Sequence, residues 1–295
     1  MDRTLTLIAD NGLNDSILIQ ARSALADHGA DTGLPVWLAA GSAADIPYGR
    51  LPDDRAEAAA RQAVDGLPVD LVAQATAERR KLLLVADMDS TIVTGETLDE
   101  LADFAGLKPH IAAITARAMN GELDFPTALR ERVGLLKGLS ADSLEKAYRR
   151  ITLTGGARTL VATMRGHGAF TVLVSGGFRF FTTRVRELCG FDRDLANQLE
   201  IADGQLTGRV LDPILDRDTK LQTLVGVAGE RRLPLSLTLA VGDGANDLAM
   251  IQAAGLGVAF HAKPVVAAAA RVRIDHGDLT ALLFAQGYRR DQFVG

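Results

Sequence analysis

The chain has 295 residues, a formal charge of -5, 47% hydrophobic residues and 23% charged residues. Those are ordinary globular values, so disordered, fibrous and low-complexity classes are excluded, and the length calls for two units or one unit with an insertion. The acidic balance argues against nucleic acid and anionic membrane surfaces as partners, since such binding depends on Lys and Arg neutralising phosphate, yet it leaves small phosphorylated ligands open.

One cysteine, Cys189, rules out an internal disulfide and any multi-cysteine zinc site, as expected in a reducing cytosol. The first residues lack a basic stretch followed by an unbroken apolar run, and no segment reaches the ~18 consecutive apolar residues of a membrane span. A soluble, cytoplasmic protein is expected.

Residues 1–76 carry eleven acids against five arginines and no lysine, a charge of -6, so the remainder is close to neutral. Within them, residues 4–9 read as a strand, 16–28 as a helix, 34–39 as a strand and 54–64 as a second helix. Residues 41–52, with glycine, alanine and proline, read as a loop, and 74–80 as the link to the second unit. From Lys81 onward short apolar runs alternate with helical segments, the signature of parallel β/α structure. The runs are residues 81–86, 169–174, 237–241, 256–260 and 272–274. Between the first two, residues 93–151 are helical by period. Thr97-Leu98-Asp99-Glu100 has the form of a capping box, and Pro109 and Pro126 stand where prolines start helices. Residues 200–207, with Asp203-Gly204 at their centre, read as a hairpin. The predicted fold is α/β: a doubly wound parallel sheet (77–92 and 152–295), an inserted helical cap (93–151) and a small N-terminal α+β unit (1–76).

In such a sheet ligands bind beyond the carboxyl ends of the strands, so the strand exits carry the functional information. The first exit presents Asp87-Met88-Asp89-Ser90-Thr91, with two carboxylates two positions apart. The second presents Ser175-Gly176-Gly177, a hydroxyl with glycines that let backbone amides approach an anion. The third presents Gly242-Asp243-Gly244-Ala245-Asn246-Asp247, and Lys220 precedes that strand at the start of a helix. Acids, small donors and one lysine on separate strands suit a hard, oxygen-ligated metal together with a phosphate. The five histidines form no metal-ligand spacing, and no glycine-rich nucleotide loop is present.

This series of motifs resembles the haloacid dehalogenase (HAD) superfamily of phosphotransferases. Through the cap stretches Glu96 to Glu100, Ala118-Met119-Asn120-Gly121 and Leu129 to Val133, it is similar more narrowly to the phosphoserine phosphatases. The resemblance runs from about Lys81 to Tyr288. Residues 1–76 bear a looser resemblance to amino-acid-binding ACT-type modules. The resemblance implies a HAD-like Rossmannoid core and Mg2+-dependent hydrolysis of O-phospho-L-serine, the last step of serine biosynthesis. Asp87 is then the nucleophile, forming an aspartyl phosphate, and Asp89 is the acid and base. Mg2+ is held by Asp87, the Asp89 backbone carbonyl and Asp243. Lys220, Ser175 and Gly176 receive phosphoryl charge, Asn246 contacts phosphate, and Asp247 orients Lys220 or a metal-bound water. A two-step route suits a reaction whose enzymes reach accelerations of up to ~10^21-fold.

Selectivity must come from the cap, because the core meets only phosphate. On a helical wheel Arg132 falls about 60° to one side of Leu129, bordering the apolar face that Val133 and Leu136 share, whereas Arg130 and Glu131 point further away. The family assigns Arg132 to the substrate carboxylate and Glu96 to its amine, with Met119 and Phe125 shielding the site. Two other readings remain open: a relative acting on phosphothreonine, homoserine phosphate or another small monoester, and an amino-acid sensor with residual phosphatase activity. Family precedent and the appended unit are compatible with a homodimer.

Overall fold

The computed structural model describes residues 1–119 and 122–295. Its strands form two sheets. The smaller is antiparallel and contains β1 (Arg3–Ile8), β2 (Asp31–Thr32), β3 (Val36–Ala39), β4 (Ala43–Gly49) and β5 (Asp70–Ala75), in the order β2-β4-β1-β5 with β3 also on β4. Two helices, α1 (Asp15–Asp27) and α2 (Asp53–Ala63), cover one face. Leu5 and Leu7 of β1 point into that helical side, with Leu18, Leu25 and Ala60.

The opposite face is covered as well. Ile8, Ala43 and Val72 join the apolar cluster that contains Leu282, Phe284 and Ala285 from the end of the chain. The alternation of strand side chains explains this, because a strand whose two faces both meet protein places apolar groups on each. Polar residues on this second face are paired. The Gln74 side-chain amide donates to the Ala285 carbonyl at 2.6 Å, and Thr6 donates to Asp45 at 2.7 Å. Asp45 also receives Arg79 at 2.6 Å.

Two expectations are corrected here. Residues 41–52 are not a loop: β4 runs through them and pairs with β1 from Ile8↔Ala43 to Arg3↔Tyr48. Its alanines and glycine suggested a turn, but small residues fit a strand packed on both faces, and Pro47 is tolerated within it. Strand β5, which the sequence pattern does not announce, occupies the start of the presumed link and pairs with β1 along its whole length.

The larger sheet has the order β12-β11-β10-β6-β7-β8-β9. Strands β6 (Leu83–Asp87), β7 (Phe170–Phe178), β10 (Thr238–Gly242), β11 (Leu256–Phe260) and β12 (Val272–Ile274) are parallel, and β9 (Gln205–Leu211) is antiparallel to β8 (Arg193–Ala202). The first half of β8 also pairs in parallel with β7. Its sequence, Arg193-Asp194-Leu195-Ala196-Asn197, has no apolar run to announce a strand. Helices α7 (Ala157–Gly166), α8 (Arg179–Cys189) and α12 (Ala281–Ala285) contribute to the apolar cluster on one side, and α9 (Arg217–Glu230), α10 (Leu248–Ala253) and α11 (Pro264–Ala269) to that on the other.

The segment after β6 holds α3 (Thr97–Phe104), α4 (Lys108–Met119), α5 (Phe125–Gly134) and α6 (Asp142–Tyr148). Pro126 lies in the first turn of α5, whose N-cap Asp124 accepts from the Thr127 amide at 2.8 Å. The predicted capping box at Thr97 is absent. Glu96 is the N-cap of α3 and makes no capping bond, while the Thr97 amide donates to Asp89 Oδ1 at 2.8 Å. A carboxylate from the preceding turn thus takes the amide that the box was expected to satisfy. Among the described residues, no helix is long and apolar enough to cross a membrane.

Candidate active site

Strands β6, β7 and β10 are neighbours in the sheet, so their carboxyl ends open side by side. Asp87 is the last residue of β6, and Ser175, Gly176 and Gly177 lie in the outer half of β7. Asp243 follows Gly242 at the end of β10. Lys220 reaches the same point from the first turn of α9, which is fixed by a capping box of Asp216 and Thr219.

The centre is ionic and buried. Lys220 Nζ lies 2.7 Å from Asp87 Oδ1 and 2.5 Å from Asp247 Oδ1, with its side chain 3% exposed. The second oxygen of Asp247 accepts from the Gly244 amide at 3.0 Å. Burial alone would lower the Lys220 pKa, but the charges of Asp87 and Asp247 outweigh it and raise the ammonium pKa above the usual lysine range. Burial and then the Asp247 charge push the Asp87 carboxyl upward, and Lys220 opposes them. At 2.7 Å the geometry is that of an ionised pair, and a divalent cation among these carboxylates would reverse the upward push. Gly242 is required by packing, since a Cβ there would collide with the Asp247 carboxylate.

Oxygens of Asp87, Asp243 and Asp247 lie within 4.8 Å of one another. Three buried carboxylates converging in this way fit a hard, oxygen-seeking cation such as Mg2+. Asp89 belongs elsewhere: its carboxylate accepts from Ser175 Oγ at 2.8 Å and, through its other oxygen, from the Thr97 amide. Ser175 in turn accepts from the Gly177 amide at 2.8 Å. These bonds hold Asp89 on the β7 side of Asp87, apart from the carboxylate trio. The turn that carries it has Ser90 at φ +55, a left-handed conformation.

A cavity of about 430 Å³ opens above this centre. Asp87, Asp89, Gly176, Asp243 and Asn246 line its floor, and Glu96, Phe125 and Arg132 line its cap side. Phe125 faces Gly176 closely, as a Cβ on that glycine would meet the ring at 3.2 Å. Arg132 Nε donates to the Ala128 carbonyl at 3.2 Å. Among the described residues no carboxylate lies within ion-pairing distance of its guanidinium, whereas neighbouring Arg130 pairs with Asp212 outside the cavity at 2.8 Å. Loss of solvation lowers the Arg132 pKa, and Asp99 and Glu96 counter it. Glu96 accepts from Ser90 Oγ at 3.0 Å, and burial in the cleft followed by the Asp89 charge raises its pKa. The Met119 side chain, with Asn120 and Gly121, lies outside the described residues.

Two residues at the site are not legible in the sequence. Asn197 of β8 is buried; its amide donates to the carbonyls of Gly176 and Leu215 at 2.8 and 3.2 Å, and its Oδ1 accepts from the Leu215 amide at 2.7 Å. It thereby ties the glycine turn of β7 to the segment leading into α9. Lys263, on the rim of the cavity, lies 3.7 Å from Asp243. Nothing in the local sequence marks either one.

The model of the haloacid dehalogenase-like hydrolases matches residues 84–252. This chain belongs to that family. Among its relatives, the phosphoserine phosphatase of Streptococcus thermophilus is 48% identical over 199 residues, covering 68% of this chain and 93% of that protein. A phosphoserine phosphatase solved as a phospho-aspartyl intermediate analogue has 41% identity and a TM-score of 0.65, over 70% of this chain and 98% of that one. A HAD family hydrolase from Salmonella enterica subsp. enterica serovar Typhi has a TM-score of 0.86 at 29% identity, covering 99% of both chains. Other relatives are longer: the chain spans 58% of the phosphoserine phosphatase of Streptomyces coelicolor, to which it is 44% identical.

Proposed function

We propose that the protein is a Mg2+-dependent phosphoserine phosphatase, acting in the cytoplasm at the last step of serine biosynthesis. One observation carries the reading. Across a single cavity, the Asp87–Lys220–Asp247 cluster and Asp243 stand opposite Arg132 and Glu96. The first set suits a phosphoryl group, and the second suits a carboxylate and an ammonium. The similarity to phosphoserine phosphatases, one of them solved as a phospho-aspartyl intermediate analogue, supports the same assignment.

In this mechanism the substrate phosphate rests among Lys220, the Ser175 hydroxyl and the Gly176 amide, with Asn246 at its edge. The Asp87 carboxylate attacks phosphorus, the P–O bond to serine breaks, and Asp89 gives its proton to the departing oxygen. Asp89 then takes a proton from water as that water attacks the aspartyl phosphate, which releases phosphate and restores Asp87. The Thr97 amide steadies Asp89 in both steps. A Mg2+ ion held by Asp87, Asp243 and Asp247, with the Asp89 carbonyl as a further oxygen donor, would supply positive charge against the phosphoryl oxygens. Arg132 and Glu96 hold the amino-acid part of the substrate, and Phe125 excludes water from above Gly176.

Phosphate release from a panel of monoesters, with and without EDTA, tests the proposal. Phosphoserine should have the highest kcat/KM, and EDTA should abolish turnover until Mg2+ is restored. Asp87→Asn should lower kcat by about 10^3-fold or more, and intact-mass spectra of quenched wild-type turnover should show one added phosphoryl group. A different monoester preferred by about two orders of magnitude, or an Asn variant with full activity, would overturn it.

A further inference from the structure

Two lysines approach the carboxylates at the floor of the cavity, and they are held very differently. Lys220 is 3% exposed and wedged between Asp87 and Asp247, with no room to leave. Lys263 occupies the N-cap position of α11, without a side-chain capping bond, just ahead of Pro264. Its backbone is fixed to the metal-candidate loop, because the Lys263 amide donates to the Asp243 carbonyl at 3.1 Å. Its side chain is held far less closely. The chain is 59% exposed and the ammonium stands 3.7 Å from Asp243 Oδ2, a separation beyond a tight hydrogen bond. The backbone thus brings this ammonium to the rim of the cavity, and its contact there is with the carboxylate that a divalent cation would need.

The charge around the cavity gives that contact a purpose. Asp87, Asp89, Asp243, Asp247 and Glu96 converge on one volume, while among the described residues Lys220 and Arg132 are the other cations lining it or lying beneath it. A carboxylate excess of this kind repels a phosphorylated substrate and also repels itself.

We propose that Lys263 is an exchangeable counter-ion: it neutralises Asp243 until a divalent cation takes that carboxylate, and its released ammonium then attracts the phosphorylated substrate at the mouth of the cavity. The inference rests on the phosphatase reading for its second half alone. The same ammonium therefore opposes metal binding and favours substrate binding. A lysine that merely packed at the start of α11 would do neither.

The test uses the full chain. Mg2+ titrated calorimetrically into metal-free protein without substrate should bind Lys263→Met about fivefold more tightly than wild type, with Lys263→Arg close to wild type. With Mg2+ saturating, Lys263→Met should raise the KM for phosphoserine about fivefold with kcat nearly unchanged. Added salt should weaken kcat/KM less in the Met variant than in wild type, because the screened attraction has been removed. Unchanged or weaker Mg2+ binding by Lys263→Met overturns the counter-ion role. An unchanged KM and salt response overturn the substrate role. If wild type hydrolyses no phosphomonoester, the phosphatase reading fails, and the Mg2+ titration still decides whether Lys263 competes for Asp243. Because the side chain is exposed, thermal melts of the metal-free variants should coincide within about 2 °C, which separates a charge effect from misfolding.

Discussion

The N-terminal layer and the cap both cover the doubly wound core, and they are fastened to it in opposite ways. Asp70, at the start of β5, is 2% exposed, and its two oxygens accept from the backbone amides of Asp275, His276 and Gly277 beyond β12. Gln74 and the Arg79–Asp45 pair add further polar contacts with little exposure, and apolar side chains from both sides merge in one cluster. The cap also shares apolar packing with the core and is tied to it by the Thr97–Asp89 bond, but its side-chain ion pairs with the core lie in the open. Arg130 and Asp212 are 52% and 73% exposed. Backbone bonds join residues 138–141 to the tip of the β8–β9 hairpin, as in Gly138 to Leu206 at 2.8 Å. The floor of the cavity, with Asp87 and Asp243, therefore belongs to the core, and Arg132 stands on a cap whose side-chain ion pairs with that core are exposed.

That division separates the effects of substitution. Arg132→Ala on the cap should lower kcat/KM for phosphoserine by about 100-fold, or ~2.7 kcal/mol, because a partly desolvated guanidinium loses its carboxylate. A simple aryl phosphate, which has no such carboxylate, should change by less than about threefold. Equal losses on both esters would show that Arg132 serves the phosphate, and the two sides of the cavity would no longer have separate tasks.

Asp70→Ala tests the fixed side. It leaves three backbone amides without their acceptor and should cost about 2 kcal/mol of stability, read as a lower denaturant midpoint. Unfolding should remain one transition, because the small sheet and the core share a cluster. An early, separate transition of the N-terminal layer would break the contrast with the cap.

The residues gathered at the strand exits were more legible in the sequence than the architecture around them. Strand exits must combine turn residues with chemistry, so Asp87, Ser175 and Asp243 stand out against short apolar runs. The structure brings Asp87 and Asp243 to one cavity, with Lys220 beneath it and Ser175 buried behind Asp89, to which it donates. The small sheet was partly illegible for a physical reason: small residues in β4 look like turn formers until the helical cluster on one face and the shared apolar cluster on the other bury them. Strand β8 was missed because its parallel half is polar, and Asn197 gains its role only when β8 and the segment before α9 meet. Thr97 shows the reverse error, since a correct local motif was displaced by the longer-range bond from Asp89. Lys263 follows a strand exit ahead of a proline, a position that ordinary helix entry explains fully, so its approach to Asp243 is visible only in three dimensions.

The smallest expected effect concerns the exposed tie between cap and core. Arg130→Ala removes a 2.8 Å pair with Asp212, yet both partners are hydrated, so the Coulomb gain in water is largely offset by the entropy of holding two long side chains together. Stability should fall by no more than about 0.5 kcal/mol, and KM should change by less than about twofold at about 0.15 M salt. An exposed pair of this kind breaks at little cost. A loss of about 2 kcal/mol, or a marked rise in KM that high salt reproduces in wild type, would mean that the pair holds the cap in place. The cap would then be fastened as firmly as the N-terminal layer.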